Sequence, residues 1–414
     1  MVLLRALAVL LLVSIGAAHG ADEAAWVQYN AAGALEARVA VPGDTCPAIV
    51  VEGHSSPMER RAAPDENFAL TLCSAVVPPR AARVIVGNRR LPIAKAAPRR
   101  ILVLGDTGCR LKGDAIQACD DPAKWPFPRL AKAAAALRPD LVIHVGDYLY
   151  RESPCPAGRA DCAGSPWGDN WPSWQADFFT PAAPLLAAAP WVIVRGNHED
   201  CARAGPGWLR LLGPLAFNPA QACAPHVTPY DVTLDRMRLT VMDDADAPDT
   251  SIDAAAMPIY AQEFATIGKR VAPPVWLLMH RPIWGVVSGP LGLPVGGNQT
   301  LIAALKGISI PKSVQLMLSG HIHTFEAINY LGDAPPQILA GNGGDTLDRT
   351  PRDLKGAIFQ GSYNVKVKDG LSLPGFGFLL MMRRGSGWAI DVYDVAGHKE
   401  RACAFNGARV DCRR

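Results

Sequence analysis

Five short polar blocks constrain this chain more than any other feature, because each closes an apolar run with potential metal-binding residues. They are Asp106-Thr107-Gly108, Gly146-Asp147-Tyr148-Leu149-Tyr150, Gly196-Asn197-His198-Glu199, His280, and Gly320-His321-Ile322-His323. The runs before them are Ile101 to Leu104, Leu141 to Val145, Trp191 to Val194, Val275 to Met279 and Val314 to Leu318, and each has the length and composition of a short buried strand. The polar groups therefore fall at strand C-terminal ends, the edge of an open α/β sheet where ligands bind. Residues far apart in sequence can converge there, in numbers sufficient for two metal ions.

The pattern around these blocks changes along the chain. From Ala21 to about Arg99, apolar alternation in Leu35 to Val41, Ala48 to Val51, Phe68 to Leu72 and Arg83 to Val86 is separated by Pro, Gly and Asn, which predicts a small all-β unit. Beyond Ile101 strands alternate with helix-competent segments, Leu130 to Leu137, Pro258 to Val271 and Leu301 to Leu305, which predicts a layered α/β domain. Strand-like pieces return after Gly361, at Tyr363 to Val367, Phe376 to Met382 and Trp388 to Val392. The segment from Glu152 to Pro172, rich in Gly, Pro, Cys and Trp, is too long for an ordinary connection, and long ordered loops beside a site are often functional.

The five blocks resemble the motifs of the calcineurin-like metallophosphoesterases, in the variant carried by purple acid phosphatases. That variant reads DxG, GDxxY, GNHE, VxxH and GHxH, and this chain has DTG, GDYLY, GNHE, LLMH and GHIH in the same order. The resemblance spans roughly Leu102 to Gly344. It implies an α/β fold, a layered metallophosphoesterase β-sandwich flanked by helices as the catalytic domain at residues 100–414, while the strand pattern before it gives a small N-terminal all-β domain at 21–99, smaller than is usual in that family. By position it also implies that Asp106, Asp147, Tyr150 and His323 bind one metal ion, while Asp147, Asn197, His280 and His321 bind the other. The bridge is Asp147, since a carboxylate has two oxygens and a negative charge with which to hold two cations at the roughly 3.5–4 Å of two-metal sites.

Ligand charge separates the two positions. Asp106, the shared Asp147 and a Tyr150 phenolate surround the first, whereas the second has only the shared carboxylate and three neutral groups. A free phenol has a pKa of about 10, so it ligates at neutral pH only beside a strongly polarising ion. This reasoning predicts Fe(III) in the first position and a divalent Zn, Fe or Mn in the second. Gly108 fits the same picture, because it occupies the place where non-purple relatives carry a histidine.

The resemblance implies hydrolysis of phosphate monoesters, with hydroxide held by the metal pair attacking phosphorus. His198, next to Asn197, is the expected catalytic residue that contacts the phosphate or assists the leaving group. Arg281 and Glu199 are substrate-binding candidates, each weighed against a structural role as an ion-pair partner or helix cap. Phosphodiesterase or nucleotidase activity on the same metal site is one alternative. A metal-stabilised binding protein without catalysis is the other. His144 lies inside a strand and reads as core, and Asp243, Asp244 and Asp246 read as turn and capping residues. Trp167, Trp171 and Trp174 read first as a packed cluster.

Met1 to Gly20 reads as a cleaved secretory signal, with Arg5, the apolar stretch Ala6 to Ile15, and the small residues Ala18 and Gly20. The alternative, an uncleaved anchor, is disfavoured because that stretch is shorter than the roughly 20 residues a bilayer span requires. All ten cysteines follow it and fall into sequence-local pairs, which favours disulfides in a periplasmic or secreted protein. Sequence alone leaves their connectivity open. A formal charge of +3 with no Lys/Arg run gives no sign of nucleic acid or a membrane surface as partner, and the resemblance implies a small phosphorylated substrate.

Overall fold

A computed structural model describes residues 24–412, apart from 222, 270–273, 309 and 363–364. The expected signal segment lies outside the described residues. Two large sheets form the centre of the molecule. The first has eleven strands, with Arg100–Leu104, Leu141–His144 and Trp191–Ile193 running parallel in its middle. The second has seven, with Met237–Val241, Val275–Leu278, Val314–Ser319 and Gln337–Ala340 as a parallel series.

The apolar runs are continuous because both faces of each sheet are covered. Between the sheets, Val103, Ile143, Val192, Leu239, Leu278, Leu318 and Ile338 share one core. On the outer face of the first sheet, Leu102, Leu104 and Val142 pack with the helices Phe127–Ala136 and Thr180–Leu186. On the outer face of the second, Leu277, Met317 and Leu339 pack with Tyr260, Phe264 and Ile267 of the helix Met257–Gly268 and with Leu301 of Gln299–Ala304. The result is the layered sandwich flanked by helices that the sequence predicts. Among the described residues no helix is long and apolar enough to cross a membrane.

The N-terminal region is all β, in two parts. Ala48–Val51, His54–Pro57, Val84–Val86 and Arg89–Leu91 make a separate four-stranded sheet. Ala25–Tyr29, Leu35–Val41, Glu59–Ala62 and Thr71–Val77 instead extend the first large sheet, where Ala25–Tyr29 runs parallel to Trp191–Ile193. The transition near Arg99 thus lies within one hydrogen-bonded layer and one shared core. The strand expected from Phe68 to Leu72 starts at Thr71, since the Asp65 carboxylate accepts the amides of Asn67 and Phe68 and holds that stretch in a turn. All five cysteine pairs are sequence neighbours: Cys46–Cys73, Cys109–Cys119, Cys155–Cys162, Cys201–Cys223 and Cys403–Cys412.

Candidate metal centre

Strand ends deliver the five blocks to one place. Beyond Arg100–Leu104 the chain turns at Asp106, beyond Leu141–His144 at Asp147, and beyond Val314–Ser319 at His321. All three turn residues have left-handed backbones, with φ of 57°, 60° and 70°. A non-glycine residue costs on the order of 1–3 kcal/mol there and persists only where its surroundings hold it. Hydrogen bonds do so here: Asp106 N donates to Gly146 O (2.9 Å), Asp147 N to Glu199 Oε2 (3.1 Å), and His321 N to both carboxylate oxygens of Asp106 (3.1 Å each).

Two donor groups result, and they share one member. Ligand atoms of Asp106, Asp147 and His323 lie within 4.8 Å of one another, as do those of Asp147, His280 and His321. The Tyr150 hydroxyl joins the first group, 2.7 Å from Asp147 Oδ2, 3.2 Å from Asp106 Oδ1 and 2.9 Å from His323 Nε2. Asn197 joins the second, its Oδ1 3.0 Å from His280 Nε2. The other ring nitrogens are taken by backbone carbonyls, His280 Nδ1 by Val145 (2.8 Å) and His323 Nδ1 by Thr346 (2.7 Å). Each Nε2 thereby faces the cluster, an arrangement typical of ligating histidines. The donor set therefore fits a pair of metal ions sharing Asp147.

Close packing makes this convergence possible. A Cβ on Gly196 would overlap the backbone nitrogen and carboxylate of Asp147. One on Gly108 would sit 2.8 Å from the Tyr150 ring and 2.9 Å from both Asp177 Oδ2 and Tyr148 O. Tyr150 fills the space that a side chain at position 108 would need, so glycine there and tyrosine at 150 are physically linked. The run Gly341 to Gly344 forms a backbone wall against the first block, with Gly343 N donating to Gly105 O (3.0 Å) and Asp345 N to Asp106 O (2.9 Å).

Without cations the cluster holds protons. Burial disfavours a charged imidazole, but Asp147, helped by Asp106 and Asp244, pushes His280 up to about 9. His323 is likewise buried, and Asp345 with Asp106 pushes it up to about 10. Burial, then the charges of Asp147, Asp106 and Asp345, raises the Tyr150 phenol well above its usual value. At pH 7 both histidines are thus protonated in the metal-free chain, whereas a metal requires them neutral. Binding of two ions should release about two protons from these rings, plus one from Tyr150 where it ligates as phenolate. Titration calorimetry in buffers of different ionisation enthalpy reads the number directly, and release of none would contradict this pairing.

The remaining site candidates separate by environment. His198 is nearly buried, with its ring centroid 3.8 Å from that of Tyr150, its Nε2 4.0 Å from Asp147 Oδ2 and its Nδ1 2.6 Å from Glu152 Oε1. Glu199 is fully buried, and its two oxygens accept the amides of Asp147, Tyr148, Leu149 and Gly196. Burial and the Asp147 charge push its carboxyl up to about 8. Both oxygens are occupied in binding the second block to the third. The Arg281 guanidinium contacts Asp249, donates to Ala245 O (3.2 Å) and lies 3.1 Å from His321 Nε2, so it borders the second donor group.

Several neighbours gave no sequence signal. Glu152, five residues after Asp147, also pairs with Lys112 (3.1 Å) and Arg203 (3.5 Å), and His198 with Lys112 outweighs burial to bring its carboxyl down to about 2. Asp345, just past the glycine run, pairs with Arg110, whose guanidinium lies 5.1 Å from the Tyr150 ring centroid. Asp249 meets His321 Nε2 at 2.8 Å. Asp244, read as a turn residue, accepts the amides of His280 and Arg281 (2.9 and 3.0 Å) and so fixes the fourth block. His144 is core as expected, fully buried and 3.0 Å from Thr107 Oγ1.

Comparison with known proteins bears on the fold and the family. The structure is similar to that of a purple acid phosphatase isolated from yellow lupin (Lupinus luteus) seeds, at TM-score 0.60 and 12% identity, over 91% of this chain and 73% of that one. It is also similar to PhoD, at TM-score 0.55 and 11% identity, over 94% and 91% of the respective chains. No curated protein sequence matches it. The sequence profile of the calcineurin-like phosphoesterases (Metallophos) matches residues 99–325, a span that takes in all five blocks. With that match over more than half its length, the chain belongs to the calcineurin-like phosphoesterase family.

Proposed function

We propose that this chain is an exported two-metal phosphatase that hydrolyses phosphate monoesters. The observation that carries the reading is the pair of buried donor groups joined through Asp147, with the His198 ring beside them. Asp106, Asp147, Tyr150 and His323 would hold one ion, and Asp147, Asn197, His280 and His321 the other. Since Asp249 engages Nε2 of His321, Nδ1 is the atom left to serve a cation. Bound cations would neutralise charge on the phosphoryl oxygens and lower the pKa of water.

The chain's own residues supply the rest. The Glu152 carboxylate lies 2.6 Å from Nδ1 of His198, which would leave Nε2 to carry a proton toward a phosphoryl or leaving-group oxygen. The preference for monoesters rests on the purple acid phosphatase form of the five motifs. Export is supported by the five disulfides and by the apolar leader of the sequence.

Three carboxylate or phenolate charges at the first position favour Fe(III) there, with divalent Zn, Fe or Mn at the second. Metal analysis of purified protein is expected to find two ions per chain, one of them iron, with a visible tyrosinate absorption band that Tyr150→Phe removes. Two divalent ions and no such band would sink the ferric assignment. Metal-loaded enzyme is expected to hydrolyse an aryl phosphate faster than its bis-aryl diester. The reverse order would make it a diesterase, and inactivity on every phosphate ester would leave the metals a structural role.

A further inference from the structure

A cleft of about 560 Å³ opens beside His321, between the fifth block and a three-stranded sheet made of Val286–Ser288, Pro294–Gly296 and Ile358–Phe359. Its volume falls within the roughly 300–1,000 Å³ of small-molecule sites. Pro282, Val287, Val295, Ile322 and Ile358 supply apolar walls. The Ile358 side chain is 63% exposed in one of them, which leaves apolar surface uncovered.

Three polar side chains at its margin are already engaged. Asp249 bonds to His321, Arg281 and Asn298, while the Asn298 side-chain amide donates to Ala247 O and its oxygen accepts from Leu301 N. Asp348 accepts the His323 amide (2.9 Å). The described lining holds two carboxylates but no lysine or arginine. A leaving group carrying phosphates or carboxylates would meet like charge there, and the Arg281 guanidinium at the margin is already paired with Asp249.

From this we infer that the cleft receives the leaving alcohol of the substrate, and that the alcohol is uncharged and largely apolar, of the aryl or alkyl class. The inference rests on the phosphatase reading above. His321 connects the two regions, as a member of the second donor group and of the cleft wall. A phosphoryl group over the metal pair would then have its apolar outlet on the His321 side. Hydrolysis breaks the bond from phosphorus to the ester oxygen, water supplies the oxygen gained by phosphate, and the alcohol departs with a proton.

The test compares 2-naphthyl phosphate with phenyl phosphate, whose leaving groups have similar acidity, so the ratio of kcat/KM reports contact with the added ring. Wild-type enzyme is expected to favour the naphthyl ester by about tenfold or more, and Ile358→Asp to bring that ratio close to one. Binding of 2-naphthylphosphonate to metal-loaded protein, followed by naphthyl fluorescence, should weaken to a similar degree in the same variant. A wild-type ratio near one, or phosphonate binding indifferent to Ile358→Asp, overturns the cleft assignment. Should no ester be hydrolysed, the phosphatase reading falls, while the phosphonate measurement still decides whether the cleft holds an apolar group.

Discussion

Asp147→Asn is expected to yield protein that folds but retains neither metal ion in stoichiometric amount, and whose kcat falls by at least about 10³-fold. The size of the effect follows from the position of the carboxylate. Asp147 belongs to both donor groups, its Oδ2 lies 3.2 Å from His280 Nε2, and its Oδ1 accepts the His198 amide (2.8 Å). An amide keeps the shape but removes the charge that both cations share, and it offers only one oxygen. Metal analysis and turnover should fall together. If one ion remains at full occupancy, Asp147 is not the bridge, and the two-metal reading must be redrawn around Asp106.

His198→Ala is expected to separate what Asp147→Asn joins: both ions stay at wild-type occupancy while kcat drops by about 10²–10⁴-fold, the usual range for a positioned proton donor. Nothing in either donor group requires this imidazole, yet Nε2 faces the shared carboxylate and Nδ1 is held by Glu152. Glu152→Gln should cause a smaller loss, because an amide keeps the contact with Nδ1 but removes its charge. Equal loss of metal and turnover in His198→Ala would instead mean that the ring supports Tyr150, against which it packs at 3.8 Å.

What was legible in the sequence follows from how each feature is encoded. Strand-end blocks such as Gly196-Asn197-His198-Glu199 carry their chemistry in consecutive residues, and their apolar runs are continuous because both sheet faces are covered. The layered sandwich and the family could therefore be read directly, whereas the connectivity of the cysteines, open in the sequence, is given by the structure. Other features depend on distance in space. Asp249 reaches His321, and Asp345 reaches Arg110, across segments with no periodicity or spacing between them. Glu199 shows a different limit, since its place in the third block made it a substrate candidate while four backbone amides consume it. The Trp-rich loop was readable in part: Trp174 is buried with its Nε1 bonded to Asp169 (2.8 Å), and Trp171 packs on Phe179, whereas Trp167 remains half exposed.

The strand Ala25–Tyr29 has its parallel neighbour at Trp191–Ile193, with Gln28 opposite Trp191. During synthesis this early segment can fold onto Leu35–Val41 at once, but its other edge stays open until the third block has emerged. Pairings so remote along the chain form slowly, and an unpaired strand edge invites association with other chains in the interval. A version of the protein shortened to begin near Arg99 would carry the same hazard permanently, because Trp191–Ile193, the strand just ahead of Asn197 and His198, would itself become a bare border.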